Sequence, residues 1–521
     1  MKRVVSVFFC FIFAIAFLFL RLFFLANDQT LTSGAAGGRV QVQAAQSRGY
    51  IYDRNGLPFV NSETEKIAVA APTQQTLPLL LSAAERSDFD EAYTLLRQGR
   101  PAAVRVQEDI SAVGIRMVHV PVRYSGTLLI PHLAGYCDST GVGICGLEKS
   151  FEDILRVRTC SVSFPVNAAG QVLCGMETAL QDEGVAGQRG VMLTLDKNLQ
   201  STVRDGMLCS GIRKGAAVLL DVDTGEVRAM VSLPEFDVLH LEDSINDDDA
   251  PFLNRALNAV SVGSVYKMIV AAAMLEEGVS PSFRYTCTGE TRQDGVTFHC
   301  HRRSGHGTLD MEDALYHSCN TWFIHAAKQI SVESILNLSW RVGLGSSVPL
   351  AEGIVCDAGV VPEPEELQSD AARANIAFGQ GRLTAAPLQI AAATAVFAGD
   401  GIYYEPRLIL GTVDDAGKCA MEEGSAGQQV ISPRTAQQVR QMLVYTAQQT
   451  ESMTFKNCGG KTATAQSGVY ENGVEKLNTW YSGFFPAQAP QYVLTVLCED
   501  GSSGAQDCTP VFEQIAQAIL Q

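Results

Sequence analysis

The chain has 521 residues, more than one ordinary hydrophobic core holds, so two or three folding units are expected, one of them large enough to enclose a site. With 46% hydrophobic and 18% charged residues it reads as neither a disordered acidic chain nor a multi-pass membrane protein. The formal net charge of −17 argues against a nucleic-acid partner, because phosphate binding needs a basic face that this composition has no surplus to build.

At the N-terminus Met1-Lys2-Arg3 precedes an apolar run from Val4 to Leu20, then Arg21, then Leu22 to Ala26. A helix of about 20 apolar residues crosses a bilayer. Lys2 and Arg3 would hold the short tail in the cytoplasm and send the rest outside. The alternative is a cleaved signal peptide, whose apolar core is ordinarily roughly 7–15 residues with a small-x-small site directly behind it. Residues 1–28 are therefore read as a cytoplasmic tip and single-pass anchor. Ser33 to Gly38 reads as a flexible tether and Arg39 to Val42 as a short extended piece. The span 29–190 mixes short apolar runs, turns and a helical stretch from Thr76 to Arg97, with no catalytic-looking cluster, and reads as a non-catalytic pedestal.

A third unit, 191–521, begins with a strand from Val191 to Leu195 and a helix from Leu199 to about Cys209. A hairpin follows: Ala216 to Leu220 is apolar, Asp223-Thr224-Gly225 is turn chemistry, and Glu226 to Ser232 returns. The middle is helical, notably from Val265 to Glu277, closed by Gly278, and from Leu388 to Phe397. Strands return at Lys461 to Gln466, Trp480 to Phe485 and Tyr492 to Cys498, and Thr509 to Leu520 reads as a closing helix. Strands, then helices, then strands predict an α+β unit whose first and last strands meet beside a helical layer.

Three clusters carry chemistry. A serine hydroxyl needs a base within hydrogen-bond reach before it is a nucleophile. Ser264 and Lys267 of Ser264-Val265-Tyr266-Lys267 sit one helical turn apart, and the apolar Met268-Ile269-Val270 behind the lysine would lower its proton affinity by desolvation. Taken alone the tetrad reads as an N-capping serine followed by a surface lysine. Ser318-Cys319-Asn320 follows a helical run from Asp310 to His317 and could present a second hydroxyl and an amide; the bare pattern recurs at Ser244-Ile245-Asn246. Gly459-Gly460-Lys461-Thr462-Ala463-Thr464 is a glycine-led strand with a cation and hydroxyls suited to a carboxylate.

In this order the clusters resemble the Ser-x-x-Lys, Ser-x-Asn and Lys-Thr-Gly elements of penicillin-recognising serine enzymes. Around them the chain resembles a class B penicillin-binding protein from anchor to closing helix. The resemblance includes Arg48-Gly49-Tyr50-Ile51-Tyr52-Asp53-Arg54-Asn55-Gly56, Gly146-Leu147-Glu148, Asn254-Arg255-Ala256, Gly379-Gln380-Gly381 and Thr384-Ala385-Ala386-Pro387-Leu388-Gln389. It implies the penicillin-binding transpeptidase fold, an antiparallel five-stranded sheet with helices on both sides plus an all-helical subdomain, behind a mixed α+β pedestal and one transmembrane helix. It also implies a peptidoglycan D,D-transpeptidase without a cofactor. Ser264 would attack a stem-peptide carbonyl with Lys267 as base, and Ser318 would relay a proton. Asn320 would bind the donor peptide, Lys461 and Thr462 its terminal carboxylate, and the backbone N–H groups of Ser264 and Thr464 would form the oxyanion hole. Implied partners are stem peptides, β-lactams and a SEDS-family glycosyltransferase; whether in division, elongation or sporulation stays open.

The chain departs from the family pattern at Ala463, where glycine is usual, and at Val262, often proline; an added methyl could crowd the substrate or merely shift it. Cys287, Cys300, His301 and His306 include zinc-ligand types, but their spacings are irregular and no metal is assigned. A Cys287–Cys300 disulfide is what paired cysteines in the sporulation-type branch imply, with free thiols an equal alternative. Several of the fourteen cysteines, Cys10, Cys209, Cys319, Cys458 and Cys498 among them, read as small hydrophobes outside any pairing. Two rival functions remain: a serine β-lactamase, disfavoured by pedestal and anchor, and a catalytically silent scaffold for a membrane glycan polymerase, for which Ala463 is the hint.

Overall fold

A computed structural model of the chain describes residues 11–21, 38–84, 86–167 and 170–521. Residues 11–21 are helical, and no helix among the described residues is long and apolar enough to cross a membrane. Both ends of the expected anchor, and residues 33–37 of the expected tether, lie outside the described residues.

The chain divides into two compact units, one of Met1–Ser47, Glu63–Val122 and Val157–Ala186, the other of Arg48–Ser62, Arg123–Arg156 and Gly187–Gln521. In the first, Glu63–Ala70 is the central strand of an antiparallel trio with Ala102–Val106 and Ile115–Val122. The helical text there divides into Thr76–Ala83 and Arg86–Arg97, because Ala84 turns extended (φ −77°, ψ 149°) and bridges to Val106. A second antiparallel trio joins Arg39–Ser47, Arg158–Pro165 and Ala179–Asp182.

The second unit is built on a five-stranded antiparallel sheet. Its strands are β1 (Gly215–Asp221), β2 (Val227–Leu233), β3 (Gly459–Glu471), β4 (Val474–Phe485) and β5 (Tyr492–Cys498), in the order β2-β1-β5-β4-β3. First and last strands of this sheet in chain order thus meet at β1 and β5, with Leu494 opposite Leu219. Both faces are covered, which is why β1 is apolar without alternation. Ala216, Val218 and Leu220 enter one apolar cluster, Ala217 and Leu219 another.

The second cluster is closed by α1 (Lys197–Cys209), capped by the Asp196 carboxylate, and by the C-terminal α6 (Thr509–Leu520). On the other face lie α2 (Lys267–Glu276) and α4 (Pro387–Ala398), every residue of α4 being buried. Between them in sequence runs α3 (Asn320–Ala326), and α5 (Pro433–Gln449) precedes β3. The expected α+β order is realised in these elements.

The Arg48 and Glu148 segments meet in this same unit. Glu148, its side chain fully buried, accepts from Arg48 Nε at 3.0 Å, Arg123 Nε at 2.7 Å and Tyr124 Oη at 2.8 Å. A buried carboxylate is tolerated only with its charge and lone pairs answered, and here two guanidinium groups answer them.

Candidate active site

Gly263 makes the turn that presents the serine. Its φ of +66° lies in the left-handed region, and a Cβ there would stand 3.0 Å from the Ala465 methyl and 3.4 Å from that of Ala463. Gly263 N donates to Gly379 O at 3.0 Å, and Trp480 Nε1 donates to Ser261 O at 3.0 Å, pinning the approach. The helix expected from Val265 starts as a 3₁₀ turn over Gly263–Tyr266 and continues as α2, so Ser264 sits half-buried in the tighter first turn.

Lys267 is fully buried, its Nζ lying 5.6 Å from the ring centre of Phe323. Its Nζ has four polar neighbours: Ser264 Oγ at 3.0 Å, Ser318 O at 2.9 Å, Ser318 Oγ at 3.1 Å and Asn320 Oδ1 at 2.7 Å. Burial, then the charge of Lys461, hold its pKa well below the ordinary lysine value. A neutral amine donates twice and accepts once. Two donations to Ser318 O and Asn320 Oδ1 leave the nitrogen lone pair for the Ser264 hydroxyl, which is the geometry of a general base.

Ser318 occupies a left-handed turn (φ +48°), uncommon for a residue with a side chain, between the helix Met311–Tyr316 and α3. Asn320 is held on its other side, its Nδ2 donating to His299 O at 3.2 Å. Lys461 is 1% exposed, its Nζ donates to Thr462 O at 2.9 Å, and burial pushes its pKa down to about 7. Side chains alternate along β3. Lys461, Ala463 and Ala465 occupy its buried face, while Thr462 is half-buried and Thr464 exposed on the other.

Ser264, Lys267, Ser318 and Asn320 therefore stand together, with Lys461 close enough to depress Lys267, and Thr462 and Thr464 on the open face of the neighbouring strand. Of the two alternatives for Cys287 and Cys300, free thiols hold; both sulfurs turn to His306 Nδ1. Sequence reading missed Cys319 as a member of that group, having taken it for a buried small hydrophobe.

A hydroxyl with a desolvated amine beside it, a second hydroxyl on the same amine and a cation behind an open strand face is an arrangement for acyl transfer through serine. A family model described as the penicillin binding protein transpeptidase domain matches residues 215–520, and the chain belongs to that family, as a class B penicillin-binding protein. It is 29% identical over 427 residues to penicillin-binding protein PbpB of Mycolicibacterium smegmatis, covering 77% of this chain and 64% of that protein. It is 26% identical over 502 residues to stage V sporulation protein D of Bacillus subtilis, covering 87% and 74%. Among solved structures, penicillin binding protein 3 of Mycobacterium tuberculosis complexed with aztreonam is similar at a TM-score of 0.66 and 25% identity, over 92% of this chain and 97% of that one. The chain thus spans less than two thirds of the length of PbpB.

Proposed function

We propose that this chain is a peptidoglycan D,D-transpeptidase, working through a Ser264 acyl-enzyme and acylated by β-lactams. The observation that carries the reading is Lys267 Nζ, fully buried and 3.0 Å from Ser264 Oγ while also within 3.1 Å of Ser318 Oγ. In the reaction the neutral Lys267 takes the Ser264 proton as Oγ attacks the penultimate D-Ala carbonyl of a stem peptide. Ser318, on the same amine, passes a proton to the departing amine. The terminal carboxylate lies along β3, on the Thr462 and Thr464 hydroxyls with the Lys461 charge behind the strand, and the Ser264 and Thr464 backbone N–H groups take the oxyanion. Asn320 orients the donor peptide and Lys267 together. A second stem-peptide amine then resolves the ester into a cross-link.

The N-terminal apolar run would anchor the chain with this site outside the cell membrane, beside a SEDS-family glycosyltransferase that supplies the glycan strands. Fluorescent penicillin tests the chemistry on the full chain. Stable labelling that is lost in Ser264→Ala supports the transpeptidase, rapid turnover of the label would point to a lactamase, and absence of labelling to a silent scaffold.

A further inference from the structure

Phe236 and Phe252 stand with ring centres 5.0 Å apart and close the base of the loop 237–251. Beside them lies a groove of about 430 Å³, within the roughly 300–1,000 Å³ of pockets that hold a ligand. His132 and Tyr136 from one segment, and Ile354 and Val355 from another, complete its walls. The rings interlock, His132 meeting Phe236 edge-on at 5.2 Å and Tyr136 doing so at 6.4 Å. His132 Nε2 donates to Pro251 O at 2.7 Å and Ser232 Oγ to Leu253 O at 3.0 Å, so the end of the loop is pinned. Its apolar side chains nonetheless reach solvent: Phe252 is 41% exposed, Leu253 38% and Val355 48%.

The loop is acidic as well as apolar. Asp237, Glu242, Asp243, Asp247, Asp248 and Asp249 fall within it, and no lysine or arginine does. Asp237 is met by His240 at 2.8 Å and Asp249 by Arg213 at 2.7 Å, whereas the exposed Glu242, Asp243, Asp247 and Asp248 have no ion-pair partner among the described residues. The groove adds no compensating cation. No lysine or arginine lines it, and burial drops the pKa of His132 to about 4, which leaves that ring neutral. Nearby Arg255 is taken up by Glu499 and by the carbonyls of Asp249 and Ala250. Leu239 and Ile245, 58% and 65% exposed, extend apolar surface along the loop. Exposed apolar surface rimmed by polar groups is the pattern of a protein-interaction site.

We propose that this groove and its acidic loop dock a basic, apolar segment of another protein, one in which lysine or arginine alternates with aromatic or aliphatic residues. The apolar side chains fill the groove against Phe236, Phe252 and Val355, and the cations meet the unpaired carboxylates at its rim. Buried anchors carry most of the affinity of such a contact, while rim charges steer the encounter and select the partner. A second copy of this chain is a poor occupant, because at a net charge of −17 it brings like charge to the rim. An anionic membrane surface is disfavoured on the same ground.

A random-peptide display library selected on the full chain in detergent tests the proposal. Enriched peptides should interleave lysine or arginine with aromatic or aliphatic residues. A fluorescent copy of the consensus should bind, and its affinity should fall as salt screens the rim, the Debye length being about 10 Å at 0.1 M. Phe252→Ser should weaken binding about tenfold or more, as removal of an anchor does. Glu242→Gln, Asp243→Asn, Asp247→Asn and Asp248→Asn together should weaken it about tenfold at low salt and little at about 1 M. All these positions are exposed, and thermal unfolding checks that the variants keep the fold. A selection without a consensus, or with an acidic one, overturns the proposal. So does a peptide that binds Phe252→Ser as tightly as the parent, which would be charge attraction alone, or one indifferent to the four carboxylate replacements. A chain that dimerises in sedimentation and becomes monomeric in Phe252→Ser gives the groove to a second copy and overturns it as well.

Discussion

Ala463 shares the buried face of β3 with Lys461, opposite the face that carries Thr462 and Thr464. Its methyl, 3% exposed, belongs to the core cluster that includes Val262 and Trp480. The family's glycine is thus replaced on the side of the strand away from the hydroxyls. Ala463→Gly is therefore expected to leave the acylation rate within about twofold. It should lower stability by roughly 1 kcal/mol through one lost buried methyl and a more flexible unfolded chain. Penicillin labelling rates and a urea titration measure the two effects.

The same packing makes Gly263→Ala severe. The added methyl would press on Ala465 and Ala463 in a backbone conformation that L side chains rarely adopt, and the turn it distorts carries Ser264. Labelling is expected to fall by roughly 10²-fold, the effect of displacing a nucleophile by about 1 Å.

Much of this site was legible in the sequence and some was not. Ser264 and Lys267 could be placed together because a three-residue helical offset is a local pattern, whereas Ser318 joined them only through the family resemblance. β5 and α6 could be bounded because their apolar residues start and stop beside turn chemistry. The facing of Ala463 was not legible, since it depends on which side of β3 meets Gly263, a long-range contact. The Cys287 group was hidden for the same reason: its side chains come from four separate segments, brought together by strand pairings that are only a few residues long.

Two buried lysines give the acylation rate a bell-shaped pH profile in kcat/KM, which reports the free enzyme. On the acid side Lys267, whose pKa is held low by burial and by Lys461, becomes protonated and can no longer take the Ser264 proton. On the alkaline side Lys461 loses its charge above about 7 and with it the attraction for the carboxylate. In Lys461→Met the alkaline limb should disappear and the plateau fall. A flat profile in the parent chain would contradict these assignments.

Lys461 also links pH to stability. Unfolded, it holds its proton up to its ordinary 10.5; folded, it sheds it above about 7. Between those values the unfolded chain binds more protons, so stability rises with pH; below them the folded state carries the whole burial penalty. Lys461→Met should raise Tm at about pH 6, and the advantage should shrink by about pH 9. Thermal unfolding at the two pH values measures it.

Glu148 is the corresponding test outside the Ser264 site. Its side chain is buried between Arg48 and Arg123, so Glu148→Ala takes the carboxylate from Arg123 and leaves Arg48 with Glu152. A loss of about 3–5 kcal/mol is expected, the range for breaking a buried ion pair from one side. Denaturant unfolding measures it, and Glu148→Gln, which still accepts from Tyr124, should lose less.

Ser318 combines strain and chemistry, and two substitutions separate them. Its φ of +48° disfavours any side chain, while its hydroxyl and carbonyl both meet Lys267 Nζ. Ser318→Ala keeps the strain and removes the hydroxyl; Ser318→Gly removes both. Acylation should fall alike in the two, by roughly 10²-fold or more if the hydroxyl carries a proton in the reaction. The glycine variant should nonetheless be more stable than the alanine variant by about 1 kcal/mol, the cost of a left-handed conformation for an L residue. Equal stabilities would mean that the turn holds Ser318 without strain, and an unimpaired acylation rate in both would remove its hydroxyl from the reaction.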